Sequence, residues 1–250
     1  MKTLHLLLVG RSRDLHRVVR SKNIYTTLLI EESKTKNDFN NDFYGNVIRL
    51  PDKSTPEQWA EIAEEIHANF PITHIGAFTE TKEEHASEIS KRLKLKYHHP
   101  CTVKVTHEKQ LLRVLLKKHG LDDTKFVRLP NRSSETDVAS AIESIGLPVI
   151  MKPANARGSL AIKKMFSLSE LHSAYTDFQT DAKQYDILIE EMLYGPEYSV
   201  EAFSENGIHK VMTITQKFKD DETSIETGHL IPAMIGKTEE REIRNFIEKV

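Results

Sequence analysis

Cysteine occurs once in 250 residues, at Cys101, so an intrachain disulfide and a disulfide-stapled secreted scaffold are excluded, and a cytoplasmic location is the expectation. Net charge is nearly absent: 35 Lys and Arg stand against 37 Asp and Glu, a formal −2. That balance predicts no basic footprint for nucleic acid and none for an anionic membrane. Long apolar runs are missing too. No segment approaches the ~20 residues of a membrane helix, and mean hydropathy is −0.46. The opening MKTLHLLLVG imitates a short signal segment. His5 interrupts it, however, and Gly10-Arg11-Ser12-Arg13 offers no small-residue cleavage site, so a first β-strand is expected there. Neither G-x-G-x-x-G nor G-x-x-x-x-G-K-[ST] occurs, which argues against a dinucleotide-dependent oxidoreductase. What remains, 38% hydrophobic and 29% charged residues, is the composition of a folded chain, long enough for one large domain or two ordinary ones.

The first hundred residues alternate strand and helix. Leu4–Val9, Thr26–Ile30, Val47–Leu50 and His74–Phe78 read as buried strands. Thr55-Pro56-Glu57-Gln58 is a helix start, with Thr as N-cap, Pro at the first position and Gln closing a capping box. Trp59, Ile62, Ala63, Ile66 and Phe70 then form one stripe, and Lys82–Leu93 is a further helix. This pattern predicts a parallel sheet covered by helices. From Cys101 onward the style changes. One helix is expected from Thr106 to His119 and another around Val138, Ile142 and Ile145. Short strands follow at Val149–Lys152, Leu160–Met165, Ile187–Glu191, Tyr198–Phe203 and Ile208–Phe218, the last two joined by an Asn206-Gly207 hairpin. A helix capped by Ser167 interrupts them. The fold class expected is therefore α/β followed by α+β with antiparallel strands, divided at about residue 100.

Two stretches carry chemistry. In GLPVIMKPANARGSLAIKKM, a buried strand delivers Lys152 to a small-residue loop, Ala154 to Ser159. There Gly158 lets backbone N–H groups approach a ligand, and Asn155, Arg157 and Ser159 add donors. An ordinary polar hairpin explains the same residues about as well. In ILIEEMLYGPEYSVEAF, a strand, a Gly195-Pro196 turn and an alternating strand put Glu197, Ser199 and Glu201 on one face. The order and spacing of the two stretches resemble the ATP-grasp superfamily, over the whole chain. Residues 1–100 then look like the α/β domain that precedes the ATP-grasp domain, and residues 101–250 like the first part of that domain, with a nucleotide-binding subdomain at about 125–193.

The resemblance implies ATP as ligand. Lys109 and Lys152 would contact its phosphates, together with the loop residues Asn155, Arg157, Gly158 and Ser159. Glu190, Glu191, Met192 and Leu193 would form the hinge at the adenine edge, and Glu197 would accept from the ribose hydroxyls. Arg113, four residues after Lys109, would support the fold or pair with a carboxylate. SIETGHLIPA, Ser224 to Ala233, resembles the E-x-G-H-x-x-P-A segment of the L-amino-acid ligase branch. It implies that Glu226 and His229 lie where an acyl phosphate meets an amine. Two ligands are too few for zinc. Glu80, after the fourth strand, is a candidate for amine recognition, and a helix N-terminal carboxylate is an equal explanation for it.

The family takes Mg²⁺ from a Glu on a late strand and from a D/E-x-N-x-R segment. No such segment follows His229, so the Mg²⁺ ligands are expected beyond Val250, none within this chain, and the sequence reads as a truncated domain. The activity implied is ATP-dependent carboxylate–amine ligation through an acyl phosphate, with amino acids as candidate substrates. A bicarbonate-phosphorylating carboxylase of the same superfamily and a non-catalytic nucleotide-binding module are the rival readings. The oligomeric state is left open, a homodimer included.

Overall fold

The computed structural model describes residues 4–22, 24–34, 44–155, 161–220 and 226–250. Its chain divides into two compact units, Met1–His107 and Glu108–Val250. In the first, β1 (His5–Val9) is apolar on both faces and sits inside a sheet. Its neighbours are β2 (Tyr25–Glu31) and β4 (His74–Ala77), and β3 (Asn46–Leu50) adds beyond β2. All pairings are parallel, and Leu6 to Val9 register with His74 to Ala77, so the expected strands share a sheet. Leu7, Val9 and Leu29 face α2 (Pro56–Asn69) and α3 (Glu83–Leu93), where Trp59, Ala63, Ala86 and Ile89 complete a core. Leu8, Leu28 and Ile30 fill the opposite face, with Tyr44 and Val47 against them. The α2 capping box forms as its sequence predicts: Thr55 N–H donates to Gln58 Oε1 at 2.8 Å, and Gln58 N–H returns to Thr55 Oγ1 at 3.4 Å.

Past β1 the chain turns at Gly10, φ +79°, before α1 (Arg13–Arg20). A Cβ on Gly10 would lie 2.4 Å from Cγ of Lys82, so glycine is required by contact as well as by φ. Lys82 is buried, with its ammonium 2.8 Å from Glu31 Oε1 and 4.6 Å from the Trp59 ring. A lysine of the chain itself thus packs over the Gly10 turn.

In the second unit, β5 (Phe126–Leu129), β6 (Val149–Pro153), β7 (Lys163–Met165) and β8 (Ile187–Glu191) form an antiparallel sheet ordered β5–β8–β6–β7. One face packs on α6 (Glu135–Ile145) and α7 (Leu171–Asp181), with Val138, Ile142 and Phe178 against Val149, Met151 and Ile189. A second antiparallel sheet holds β9 (Glu197–Glu205), β10 (Ile208–Lys219) and β11 (Glu226–Leu230), ordered β11–β10–β9. Asn206 and Gly207 both have positive φ, the requirement of the two-residue hairpin that their sequence signals. The closing helix α8 (Lys237–Ile247) donates from Arg244 Nη1 to the Val211 carbonyl of β10 at 3.0 Å.

The single helix expected from Thr106 to His119 is in fact two, α4 (Pro100–His107) and α5 (Lys109–Lys118), separated by an extended Glu108 at φ −105°, ψ 98°. The cause is a division of anchors. His107 meets Glu83 and Glu84 of α3 at 3.0 and 3.3 Å and belongs to the first unit. Arg113 reaches carboxylates of the second. The units therefore divide at His107/Glu108, beyond the expected residue 100. Of the strand expected over Leu160–Met165, Lys163–Met165 is observed and Leu160 lies outside the described residues. Among the described residues no helix is long and apolar enough to cross a membrane.

Two stability effects are expected in the first unit. Lys82→Met strands a largely buried Glu31 and should cost about 3 kcal/mol, whereas Lys82→Met with Glu31→Leu should recover most of the loss; chemical unfolding of the two variants measures the difference. His16 is buried, with its Nδ1 2.7 Å from Tyr44 Oη and its Nε2 without a partner among the described residues. Burial pushes its pKa down to about 4 from 6.5. Between those values the unfolded chain binds the extra proton. Stability should therefore fall as pH drops from 6.5 to 4, by about 2 kcal/mol after allowance for solvent screening. In His16→Phe that portion of the pH profile should be flatter.

Candidate functional site

Lys109 and Arg113 share one face of α5, as i, i+4 spacing requires. Lys109 Nζ donates to the Ala154 carbonyl at 3.4 Å. Arg113 Nε donates to Glu190 Oε1 at 3.0 Å, and its Nη1 reaches Asp122 and, at 3.3 Å, Thr124 Oγ1. Lys152 forms an ion pair with the other oxygen of Glu190, Oε2. Strand register explains this meeting. Glu190 of β8 opposes Ile150 of β6, and Lys152 is two residues further along β6, on the face turned away from Val149 and Met151. The Glu190 side chain is only 4% exposed, so one buried carboxylate is shared by two cations. For Arg113, burial disfavours the charge, but Asp122 and Glu190 outweigh it and raise the pKa. For Asp122, burial likewise opposes ionisation, and the Thr124 and Arg113 hydrogen bonds more than offset it, lowering the pKa.

The segment after Glu190 leaves the sheet by degrees. Glu190 is inside the ladder, between Phe126 and Ile150. Glu191 N–H donates to the Lys125 carbonyl at 3.0 Å and Met192 N–H to the Pro148 carbonyl at 3.1 Å. Leu193 N–H is the first with no partner among the described residues, and its side chain is 63% exposed. Here a cleft of about 470 Å³ opens between the two antiparallel sheets of the second unit. Its walls include Ile150, Met192 and Leu193 on one side and Glu197, Lys217 and Phe218 on the other. That volume lies within the range of small-molecule sites.

The far wall is a charge ladder. Glu197 of β9 is directly opposite Lys217 of β10, which is opposite His229 of β11. Lys217 Nζ is 3.3 Å from Glu197 Oε1 and also pairs with Glu226 Oε1; Lys219 Nζ is 2.5 Å from Glu197 Oε2. His229 Nε2 meets Glu226 Oε2 at 3.0 Å. Residues three apart on a regular strand face opposite ways. A register shift resolves this: Phe218 pairs with Gly228 but Lys219 pairs with Glu226, leaving Thr227 as an extra residue that turns Glu226 back to the face of His229. Lys217 and then His229 hold the Glu226 pKa low. At Glu197 burial opposes ionisation, and Lys219 and Lys217 prevail, so its pKa is lowered as well.

Of the expected residues, Met192, Leu193 and Glu197 line the cleft; Lys152 and Glu190 form one pair and Lys109 reaches the Ala154 carbonyl, while Glu226 and His229 join Glu197 through Lys217. Glu191 is beside Glu190, and Asn155 is exposed just past β6. Arg157, Gly158 and Ser159 lie outside the described residues. Glu80 belongs to the first unit, in a 3₁₀ turn after β4. Sequence reasoning missed Asp122, Lys217 and Lys219. Alternate cations in a strand are ordinary for a solvated face, and the register with Glu197 is what gives the two lysines a role.

Comparison with known proteins bears on this geometry. Residues 145–250 match the ATP-grasp domain family. A D-alanine–D-alanine ligase of Xanthomonas axonopodis pv. citri is 27% identical over 126 residues, 48% of this chain and 38% of that enzyme. The L-amino acid ligase of Bacillus licheniformis superposes with a TM-score of 0.80 at 17% identity, over all of this chain and 59% of that one. The biotin carboxylase of Campylobacter jejuni, solved as a β,γ-ATP complex, gives 0.72 at 13% identity over 97% of this chain and 58% of that one. The chain therefore spans well under two thirds of the proteins it matches.

The charge ladder makes one expectation of its own. In Lys217→Met the Glu226 carboxyl should titrate at higher pH than in the wild type, followed by carboxyl ¹³C resonances. An unmoved titration would mean that Lys217 does not control it.

Proposed function

The chain carries an ATP-grasp domain over residues 145–250, and from that premise we propose that it supplies the nucleotide site of an ATP-dependent carboxylate–amine ligase. The observation that carries this reading is the cleft, whose lining joins Leu193, its N–H without a partner among the described residues, the apolar Ile150, Met192 and Phe218, and Glu197. A purine edge needs backbone donors and acceptors in a plane and apolar groups against its faces. The Glu190–Leu193 segment and its neighbours offer both. A ribose diol suits a carboxylate acceptor, the part of Glu197. Lys109 and Lys152 supply charge for the phosphates, and Asn155, Arg157, Gly158 and Ser159 are the residues of the loop that would close over them.

In the reaction so proposed, a substrate carboxylate takes the terminal phosphoryl group of ATP, giving an acyl phosphate and ADP, and an amine then displaces phosphate to form an amide. Glu226 is suited to hold the incoming ammonium and His229 to steady the departing phosphate, since the two already share a hydrogen bond at the end of the Glu197–Lys217 ladder. Glu80 is proposed as a further contact to the amine. Amino acids are the proposed substrates, in keeping with the names of the two ligases the chain resembles. Mg²⁺ is proposed as the companion of ATP, where it would neutralise phosphate charge beside Lys109 and Lys152; among the described residues no group of three or more His, Cys, Asp or Glu side chains stands at metal-binding spacing.

Calorimetry with ATP, followed by assay of phosphate release, tests the reading. Release that depends on an amino-acid pair supports ligation, release that depends on bicarbonate supports the carboxylase, and absence of ATP binding removes the site. Lys152→Ala should keep the fold and weaken ATP use about tenfold to a hundredfold, the worth of a charge-assisted contact of roughly 1.5–3 kcal/mol. Wild-type affinity and turnover in that variant would exclude Lys152 from the site.

A further inference from the structure

Lys152 is not idle in this structure: its ammonium is the counter-ion of Glu190. If Lys152 binds a phosphate, as the proposed nucleotide site requires, it must leave a carboxylate that is almost wholly buried. A buried carboxylate stripped of its cation is among the more destabilising states a fold can hold. Whether the exchange is accessible depends on what else neutralises Glu190, and among the described residues the other cation on it is Arg113, at 3.0 Å on Oε1.

The two cations are held differently. Arg113 is a planar fork fixed at three places, by Glu190, Asp122 and Thr124. Asp122 is itself oriented by the Thr124 N–H at 2.9 Å. Lys152 is a flexible stem at the end of β6, next to the loop that begins at Ala154, and Glu190 is its ion partner among the described residues. One cation is built to stay and the other to move.

We propose that Arg113 is a positioning residue for Lys152. By retaining Glu190 as an anchored, compensated anion, it allows Lys152 to be passed from that carboxylate to a phosphate oxygen when the nucleotide enters. Arg113 touches neither the base nor the phosphates; it acts through Glu190. The inference rests on the nucleotide reading of the cleft and adds to it a control on the phosphate lysine.

The experiment compares two ligands that share base and ribose, ATP and uncharged adenosine, by calorimetry on the full chain. In Arg113→Met, Lys152 is the cation left on Glu190 among the described residues, so ATP affinity should fall about tenfold while adenosine affinity is unchanged. Arg113→Lys, which keeps a cation there but not the three-point fork, should bind ATP with an affinity between those of Arg113→Met and the wild type. In the double variant Arg113→Met, Glu190→Gln no carboxylate competes for Lys152, and ATP affinity should return to the wild-type value. Equal losses of ATP and adenosine in Arg113→Met, or a double variant as weak as the single one, overturn the proposal and leave the nucleotide reading intact. A wild-type chain that binds neither ligand overturns both. Should Arg113→Met fail to fold, Glu190→Gln by itself decides. Freed of its carboxylate, Lys152 should raise the affinity for ATP about threefold relative to that for adenosine, and a selective loss of ATP there overturns the proposal.

Discussion

A carboxylate with almost no contact with water must be neutralised or paired, and Glu190 is paired twice. Much of the second unit is arranged around that requirement. It fixes α5 against the β5–β8–β6–β7 sheet, because Arg113 must reach across to β8. It draws Asp122 and Thr124, in the connection before β5, onto the same guanidinium. It also sets the direction of Lys152 at the end of β6. Replacing such a group of charges by apolar residues often leaves stability unchanged or improved, so packing alone is a weak reason to hold Arg113, Asp122, Glu190 and Lys152 together. The proposed function gives a stronger one: a phosphate group needs cations that are already desolvated and oriented.

The opposite wall uses strand geometry where the first uses burial. Glu197, Lys217 and His229 are cross-strand neighbours, and the extra residue at Thr227 adds Glu226 to their face. Without the bulge Glu226 would point to the other side of a sheet three strands wide, and the Lys217–Glu226–His229 chain of contacts would be broken. A single inserted residue therefore brings the E-x-x-H pair together, and a lysine between two carboxylates links it to the residue proposed for the ribose.

The parallel sheet, the antiparallel strands and the capping box at Thr55 were legible in the sequence because each rests on local pattern: apolar runs, alternation, an N-cap three residues before Gln58. Asn206-Gly207 was legible for the same reason, two residues that tolerate positive φ. The break at Glu108 was not. Periodicity runs through Thr106 to His119 without interruption, and what splits it is a long-range choice of partners, His107 with α3 and Arg113 with β8. Lys217 and Lys219 were hidden in a different way. Their positions on β10 are ordinary for a solvated strand, and only the register with Glu197 and Glu226 gives them a role. The ion pair of Lys152 with Glu190 also depends on register, between strands 38 positions apart in sequence.

Lys152 is thus held by Glu190, and Lys217 and Lys219 by Glu197. On the proposed reading, a nucleotide binds such a site by exchange: phosphate oxygens take Lys152 from Glu190, and ribose hydroxyls take acceptor capacity from Glu197. The affinity is then a difference between two sets of charge-assisted contacts, smaller than a count of the final contacts would suggest. That arrangement discriminates by charge. An uncharged ligand has nothing to offer a lysine that must abandon its carboxylate, so the cations stay where they are and the cleft provides only its apolar walls and the hinge. A polyanion can replace each lost pair with another. The self-paired network therefore acts as a threshold as well as a scaffold, and its height depends on how well the carboxylate left behind, Glu190, is still compensated by Arg113.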